Sequence, residues 1–290
     1  RETAGEMRRQ VEGSLERLGI DHLELFALHG INTREIFQRT IRAGGPLSAL
    51  FQMQREGLIG HIGYSGHAPL PLQLEMIGSD LFSFVNLHYY AFRAHNRSAV
   101  DLAASKDMGV FIISPNDKGG KLYAPSSKLQ QLTHPLHPAV WNERWLLSQP
   151  DVHTLSIGLS KPEEISLHLR ALEGGRPFWS KTERVAEARL DSAAALSPLE
   201  RCGGCIRCLP CPEHIEIPDL LRLLHLSNTY DMQGYGVDRY AQMQPDDHWM
   251  PGAKGSLCTD CGECLDRCPL KLDIPALVRE AHARFEPSAQ

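Results

Sequence analysis

Eight cysteines lie between Cys202 and Cys268, and the first 201 residues contain none. They form two runs, Cys202-x2-Cys205-x2-Cys208-x2-Cys211-Pro212 and Cys258-x2-Cys261-x2-Cys264-x3-Cys268-Pro269. Three thiolates set two residues apart turn inward from one tight loop, because a chain wrapped around a cubane presents every third side chain to it. The fourth ligand must then come from elsewhere. Disulfides would need an oxidising compartment, which cysteine confined to one segment and the lack of a leader do not suggest. Zinc accepts four thiolates, but its usual pattern is two separated C-x2-C pairs. Runs of four cysteines, twice, each ending in Cys-Pro, point instead to iron and sulfur. Gly203, Gly204 and Gly262 let backbone N–H groups approach the sulfurs and tune the potential.

The second run has the spacing of the bacterial ferredoxins, in which the Cys-Pro cysteine ligates the other cluster of a pair. That resemblance assigns Cys202, Cys205, Cys208 and Cys268 to one 4Fe-4S cluster and Cys258, Cys261, Cys264 and Cys211 to a second. The first run is one residue shorter in its last gap. The repeat continues past the cysteines, Cys211-Pro212-Glu213-His214-Ile215-Glu216-Ile217-Pro218 matching Cys268-Pro269-Leu270-Lys271-Leu272-Asp273-Ile274-Pro275 in residue type. Each Ile-Pro is expected to open a helix, since proline is tolerated at the first helical position. Leu220, Leu221, Leu223 and Leu224 face inward in one, Leu277, Val278, Ala281 and Phe285 in the other. With helices expected at 219–226 and near 238–243, the segment is similar to the α-helical ferredoxin modules rather than the compact βαβ type.

Positioning these loops falls to an α/β body. Met7, Val11, Leu15 and Leu18 mark a helix stopped by Gly19, and 23–28 reads as a buried strand. Four more helix–strand alternations follow, with strands expected at 60–65, 82–89, 110–114 and 152–158, and helices at 46–56, 70–77, 97–106, 139–148 and 162–172. Five strands with crossover helices mean parallel pairing. Periodicity alone suits a doubly wound sheet or a barrel, and no G-x-G-x-x-G follows a strand. Phe84, Tyr89, Tyr90 and Phe92 are expected in the core or lining a pocket. Thr133 to Pro138 is expected as a loop. His67, His88 and His95 lack ligand spacing with a carboxylate and are expected to be structural.

Five ordered stretches resemble the aldo/keto reductase family: Ser14 to Gly30, with Leu28-His29-Gly30; Gly57 to Ser65; Phe84 to Tyr90; Gly109 to Pro115 with Gly119-Gly120-Lys121-Leu122; and Ser156 to Ile165. The resemblance implies a (β/α)8 TIM-type barrel, here incomplete with five of eight strands, that binds NADP(H) at the C-terminal ends of its strands. It implies His29 as the catalytic histidine, Ser65 and Asn86 near the nicotinamide carboxamide, and Ser160, Lys161 and Glu164 at the adenosine end, where a lysine suits a phosphate. The first three strand–helix units of the family pattern, with its aspartate, tyrosine and lysine, are expected to be absent. Carbonyl reduction by this chain alone is then not expected.

Composition bounds the rest. Thirty Lys and Arg against 35 Asp and Glu in 290 residues give a net charge of −5, and the pI is near 6.3, so nucleic-acid binding has no basic surface to rest on. No apolar run is long enough to span a membrane and no secretory leader is visible, so a cytoplasmic protein is expected. The expected domains are residues 1–175, a barrel portion; 176–201, a connector with a helix at 182–196; and 202–290, the two-cluster module. The chain as a whole resembles oxidoreductases in which an aldo/keto reductase barrel carries a C-terminal two-cluster ferredoxin. Its expected function is to couple NADP(H) chemistry, two electrons as hydride, to one-electron clusters, with a substrate or flavin to split the pair. The alternative is a non-catalytic iron–sulfur subunit serving a partner. A small-molecule substrate or a redox protein is the expected partner.

Overall fold

The computed structural model describes residues 2–175, 178–197, 199, 202–245 and 251–286. The expected frayed end, Pro287 to Gln290, and the connector's Pro177 and Pro198 lie outside them. In chain order the elements are α1 (Ala4–Leu18), β1 (Leu23–His29), α2 (Arg34–Ile41), α3 (Pro46–Arg55), β2 (Ile59–Ser65), α4 (Leu70–Gly78), β3 (Phe84–Leu87), α5 (Arg97–Ser105), β4 (Gly109–Ile113), α6 (Ser127–Thr133), α7 (Pro138–Ser148), β5 (Thr154–Ser156), α8 (Ile165–Leu169), α9 (Lys181–Ala194), α10 (Ile217–Tyr230), α11 (Gln233–Gln242), α12 (Glu263–Arg267) and α13 (Ile274–Phe285).

Two compact units account for these elements. One comprises Arg1–Tyr89, Asn96–Ser114 and Gln149–Ile157; the other comprises Tyr90–His95, Pro115–Ser148 and Gly158–Gln290. The division interleaves along the chain, whereas the expected boundaries fell once at 175/176 and once at 201/202.

The first unit is built on a five-stranded, all-parallel sheet in the order β1-β2-β3-β4-β5. Each strand adds on the same side as the one before, without the reversal of order that defines a doubly wound sheet. Winding in one direction makes it a curled half-barrel. One face is apolar: the row Leu28, Tyr64, Val85, Val110 pairs in register and every member is buried. Residues alternate between faces, so the neighbouring rows Ala27, Gly63, Phe84, Gly109 and His29, Ser65, Asn86, Phe111, Thr154 lie on the other face. A Cβ at Gly63 would stand 2.5 Å from the Phe84 ring, so glycine there makes room for the aromatic.

Helix ends follow local chemistry. Thr3 and Glu6 form a capping box at α1, and Gly19 ends it in the left-handed conformation at φ 66°. The second unit packs its core from α10, α11 and α13 with α6, α7 and α9, through Leu220, Leu224, Tyr240, Val278, Phe285, Leu129, Trp141 and Leu190.

Several expectations shift. The helix expected at 162–172 is a short α8 between two 3₁₀ turns. β3 and β5 are shorter than their apolar runs because parallel pairing involves only Phe84–Leu87 and Thr154–Ser156. α10 and α11 start earlier than expected, and α10 also runs four residues longer. The 133–138 segment is a link whose ends belong to α6 and α7. No helix among the described residues is long and apolar enough to cross a membrane.

Candidate metal centres and barrel rim

The cysteine repeat extends to the backbone. Gly204 and its counterpart Asp260 have φ of 68° and 54°, Ile206 and Gly262 of 57° and 78°, and His214 and Lys271 of 57° and 52°. Corresponding turns close with matching hydrogen bonds, Leu209 N–H to Ile206 O at 3.0 Å and Leu265 N–H to Gly262 O at 2.9 Å, then His214 N–H to Cys211 O at 3.0 Å and Lys271 N–H to Cys268 O at 3.1 Å. Pro218 and Pro275 then sit in the first turns of α10 and α13. Left-handed φ at the residues flanking the second cysteine of each run reverses the loop there. Ile206 holds this conformation with a β-branched side chain, at a cost of about 1–3 kcal/mol.

Around these loops the eight thiols, none disulfide-bonded, divide into two sets. Cys202, Cys205, Cys208 and Cys268 line one cavity of about 260 Å³ with Leu221, Leu272 and Ile274. Cys211, Cys258, Cys261 and Cys264 line a second, much smaller cavity of about 20 Å³, which Cys208 lines as well. With Cys208, which lines both, counted in the first, each set takes three cysteines from one run and the last from the other. No three Cys, His, Asp or Glu side chains among the described residues are grouped to hold a single metal ion. Burial pushes the Cys208 thiol up to about 12 and raises Cys202 and Cys264 as well. Their conversion to thiolates therefore requires a compensating cation. The all-thiol donor set, the apolar walls and the reversed loops fit iron–sulfur cores.

The first turns of α10 wall the first cavity with Pro218 and Leu221 and also hold two neighbouring segments. Asp219 binds Arg93 at 2.8 Å, and Arg222 donates to Phe92 O at 3.0 Å and Lys118 O at 3.3 Å. Tyr235 donates to the same Lys118 carbonyl at 2.9 Å, and Arg239 binds Asp117 at 2.6 Å. Lys121 pairs with Asp238. His95, whose pKa burial drives down to about 3, lies against Gly204 of the first cysteine loop. It is a neutral, packed side chain.

In the first unit, His29 pairs in register with Ser65, and Ser65 with Asn86. Laterally paired residues project to one face, so these three stand in a single row at the C-terminal ends of β1, β2 and β3. His29 is exposed, Ser65 buried and Asn86 partly buried. Two residues further on, His67 and His88 stack with centroids 4.3 Å apart. The Asn32 side chain accepts from His67 N–H at 2.7 Å, tying the loop after β1 to that after β2. Ser160, Lys161 and Glu164 belong to the other unit. There Ser160 N–H donates to Glu164 Oε2 at 2.8 Å, and Lys161 is exposed.

Sequence reasoning missed a fully buried polar cluster on α7. Asn142 and Glu143 share the interior stripe with Ala139 and Leu146. Glu143 Oε1 accepts from Asn116 Nδ2 at 2.5 Å and lies 2.6 Å from His168 Nδ1. Two polar residues on a stripe that periodicity gives to the core were the available signal.

Comparison with known proteins places this geometry. Residues 1–124 match the sequence model of the aldo/keto reductase family. The Bacillus subtilis protein YrpG, described as an uncharacterized oxidoreductase, is 29% identical over 121 residues, 40% of this chain and 35% of its own length. The chain thus spans about a third of that curated relative. The holo form of the aldo-keto reductase AKR11C1 from Bacillus halodurans superposes with a TM-score of 0.52 at 18% identity, over 65% of this chain and 68% of that one. The thermostable aldo-keto reductase Tm1743, in complex with the inhibitor epalrestat, gives 0.50 at 20%, over 65% and 67%. At such identities the likeness is one of fold, the parallel barrel type.

Proposed function

We propose that the chain is an aldo/keto reductase-type oxidoreductase that couples NADP(H) chemistry to electron transfer through two 4Fe-4S clusters. The observation that carries this reading is that the last cysteine of each run lines the cavity of the other run's first three, Cys268 with Cys202, Cys205 and Cys208, and Cys211 with Cys258, Cys261 and Cys264, Cys208 lining both cavities. Cys202, Cys205, Cys208 and Cys268 would hold one cluster, Cys211, Cys258, Cys261 and Cys264 the other. Bound there, such clusters accept or give one electron each. The chain's own part is to bury them in a largely apolar wall, present backbone N–H groups to the sulfurs, and keep both within one packed unit.

For the nucleotide, Ser65 and Asn86 would hold the nicotinamide carboxamide beside His29, and Ser160, Lys161 and Glu164 the adenosine end. Support comes from the family match over residues 1–124 and from the His29, Ser65, Asn86 row at the strand ends, where barrel sites lie. The partner is a small-molecule substrate or a redox protein, in the cytoplasm.

The experiment is anaerobic purification with iron and sulfide quantitation, followed by NADPH addition while the cluster absorbance is followed. About eight irons per chain with NADPH-dependent bleaching supports the coupled enzyme. The same iron without bleaching supports an electron carrier serving a partner, and zinc in place of iron overturns both.

A further inference from the structure

A buried polar pair in a helix core stripe costs several kcal/mol unless it is hydrogen-bonded. Asn142 and Glu143 of α7 have no exposed surface, and their bonds reach three separate segments. The Asn142 Oδ1 accepts from Ala91 N–H at 3.2 Å, and its Nδ2 donates to Pro115 O at 3.2 Å. Through Oε1, Glu143 binds Asn116 and His168 as described above, while its Oε2 is buried with no partner among the described residues. Ala91 follows β3, Pro115 and Asn116 follow β4, and His168 follows the 158–164 segment that comes after β5. Segments that leave the C-terminal ends of barrel strands carry the ligands of such folds. One helix turn therefore fastens the segments after β3 and β4 and the helix α8, which directly follows the segment that bears Ser160 and Lys161.

We propose that Asn142 and Glu143 are positioning residues for the nucleotide: they hold the 158–164 segment against its two neighbours in the arrangement that lets Ser160 and Lys161 take a phosphate-bearing adenosine. The inference rests on the cofactor reading given above for those two residues. Contact with the nucleotide itself is not required of either residue. Glutamine at 143 keeps the Oε1 acceptor for both Asn116 and His168 and puts its amide where Oε2 has no partner, whereas alanine removes the acceptor altogether.

The test is a binding titration of the full chain with adenosine 2′,5′-bisphosphate, a probe that lacks the nicotinamide and reports only the adenosine end. Glu143→Ala is expected to weaken binding about tenfold or more, with Glu143→Gln restoring it to within about threefold of the unchanged chain. His168→Phe, which keeps bulk but loses the donor at the edge of the cluster, should weaken binding like Glu143→Ala and serves if that variant does not fold. Melting temperature and iron content are read alongside, since a general packing defect would lower them while leaving glutamine no better than alanine. Unaltered affinity in Glu143→Ala or His168→Phe, or a Glu143→Gln as weak as the alanine variant, overturns the proposal. Failure of the unchanged chain to bind the probe would instead remove the cofactor reading, and the proposal with it.

Discussion

Arg93 and Asp219 form an ion pair on the flank of the first cysteine cavity, the guanidinium standing 2.8 and 3.0 Å from the two carboxylate oxygens, with both side chains less than one-fifth exposed. Removing one partner of a buried pair leaves the other charge uncompensated. Asp219→Asn should therefore destabilise the fold by about 2–4 kcal/mol. Burial alone would raise the Asp219 pKa, but the guanidinium of Arg93, with that of Arg222 behind it, holds it below the ordinary carboxylate value of 3.8. A depressed folded value gives stability that is present above 3.8 and is lost as the pH falls through the lower folded value. Acid melting curves of the unchanged chain should show that loss, and those of Asp219→Asn should not.

Ligand exchange between the runs makes a second expectation sharp. Cys268→Ser should deplete the same iron as Cys205→Ser, although one lies in each run, and Cys211→Ser the same iron as Cys261→Ser. Each variant should lose about half the iron, and paramagnetic resonance of the reduced protein should give two classes of spectrum grouped by cavity. Grouping by run instead would mean that each run supplies all four of its own ligands.

Glu216, one residue before the first turn of α10, has its pKa pushed up to about 7, first by burial and then by Asp219. The folded state favours its neutral form, so this residue's contribution to stability is complete below the ordinary value of 4.5 and is lost as pH rises through 7. Glu216→Gln should leave stability unchanged near pH 4 and raise it by about 1–3 kcal/mol above pH 7. Chemical denaturation at both pH values measures the difference.

The two cysteine loops differ in which left-handed position carries glycine. Ile206→Gly should stabilise the first loop by about 1 kcal/mol, because the backbone conformation is unchanged and the strain is relieved. Gly262→Ile should cost the second loop about 1–2 kcal/mol by the same reasoning. Opposite shifts in melting temperature would confirm that the loops share one geometry.

Much of this architecture could be read from residue types. The five strands followed from apolar runs, and the order of the family-like stretches chose a barrel over a doubly wound sheet. Strand lengths could not be read, because apolar content extends β3 to Phe82 and Tyr89 while only Phe84–Leu87 pair with a neighbouring strand. α2 escaped because eight residues with Phe37 and Thr40 buried carry too short a pattern. His67 and His88 lie 21 residues apart and were set aside, yet the pairing of β2 with β3 stacks their rings. Asn142 and Glu143 show the opposite limit: the helical stripe marks both as buried, but their hydrogen-bond partners in three distant segments have no local signature.

The interleaving of the two units bears on how such a protein could be cut or assembled. Phe92, Leu129 and Trp141, far upstream of the first cysteine, pack in the same core as the helices that follow the cysteine runs. A fragment starting near residue 202 would leave that core unfilled, so the cysteine-bearing segment is no transplantable cassette.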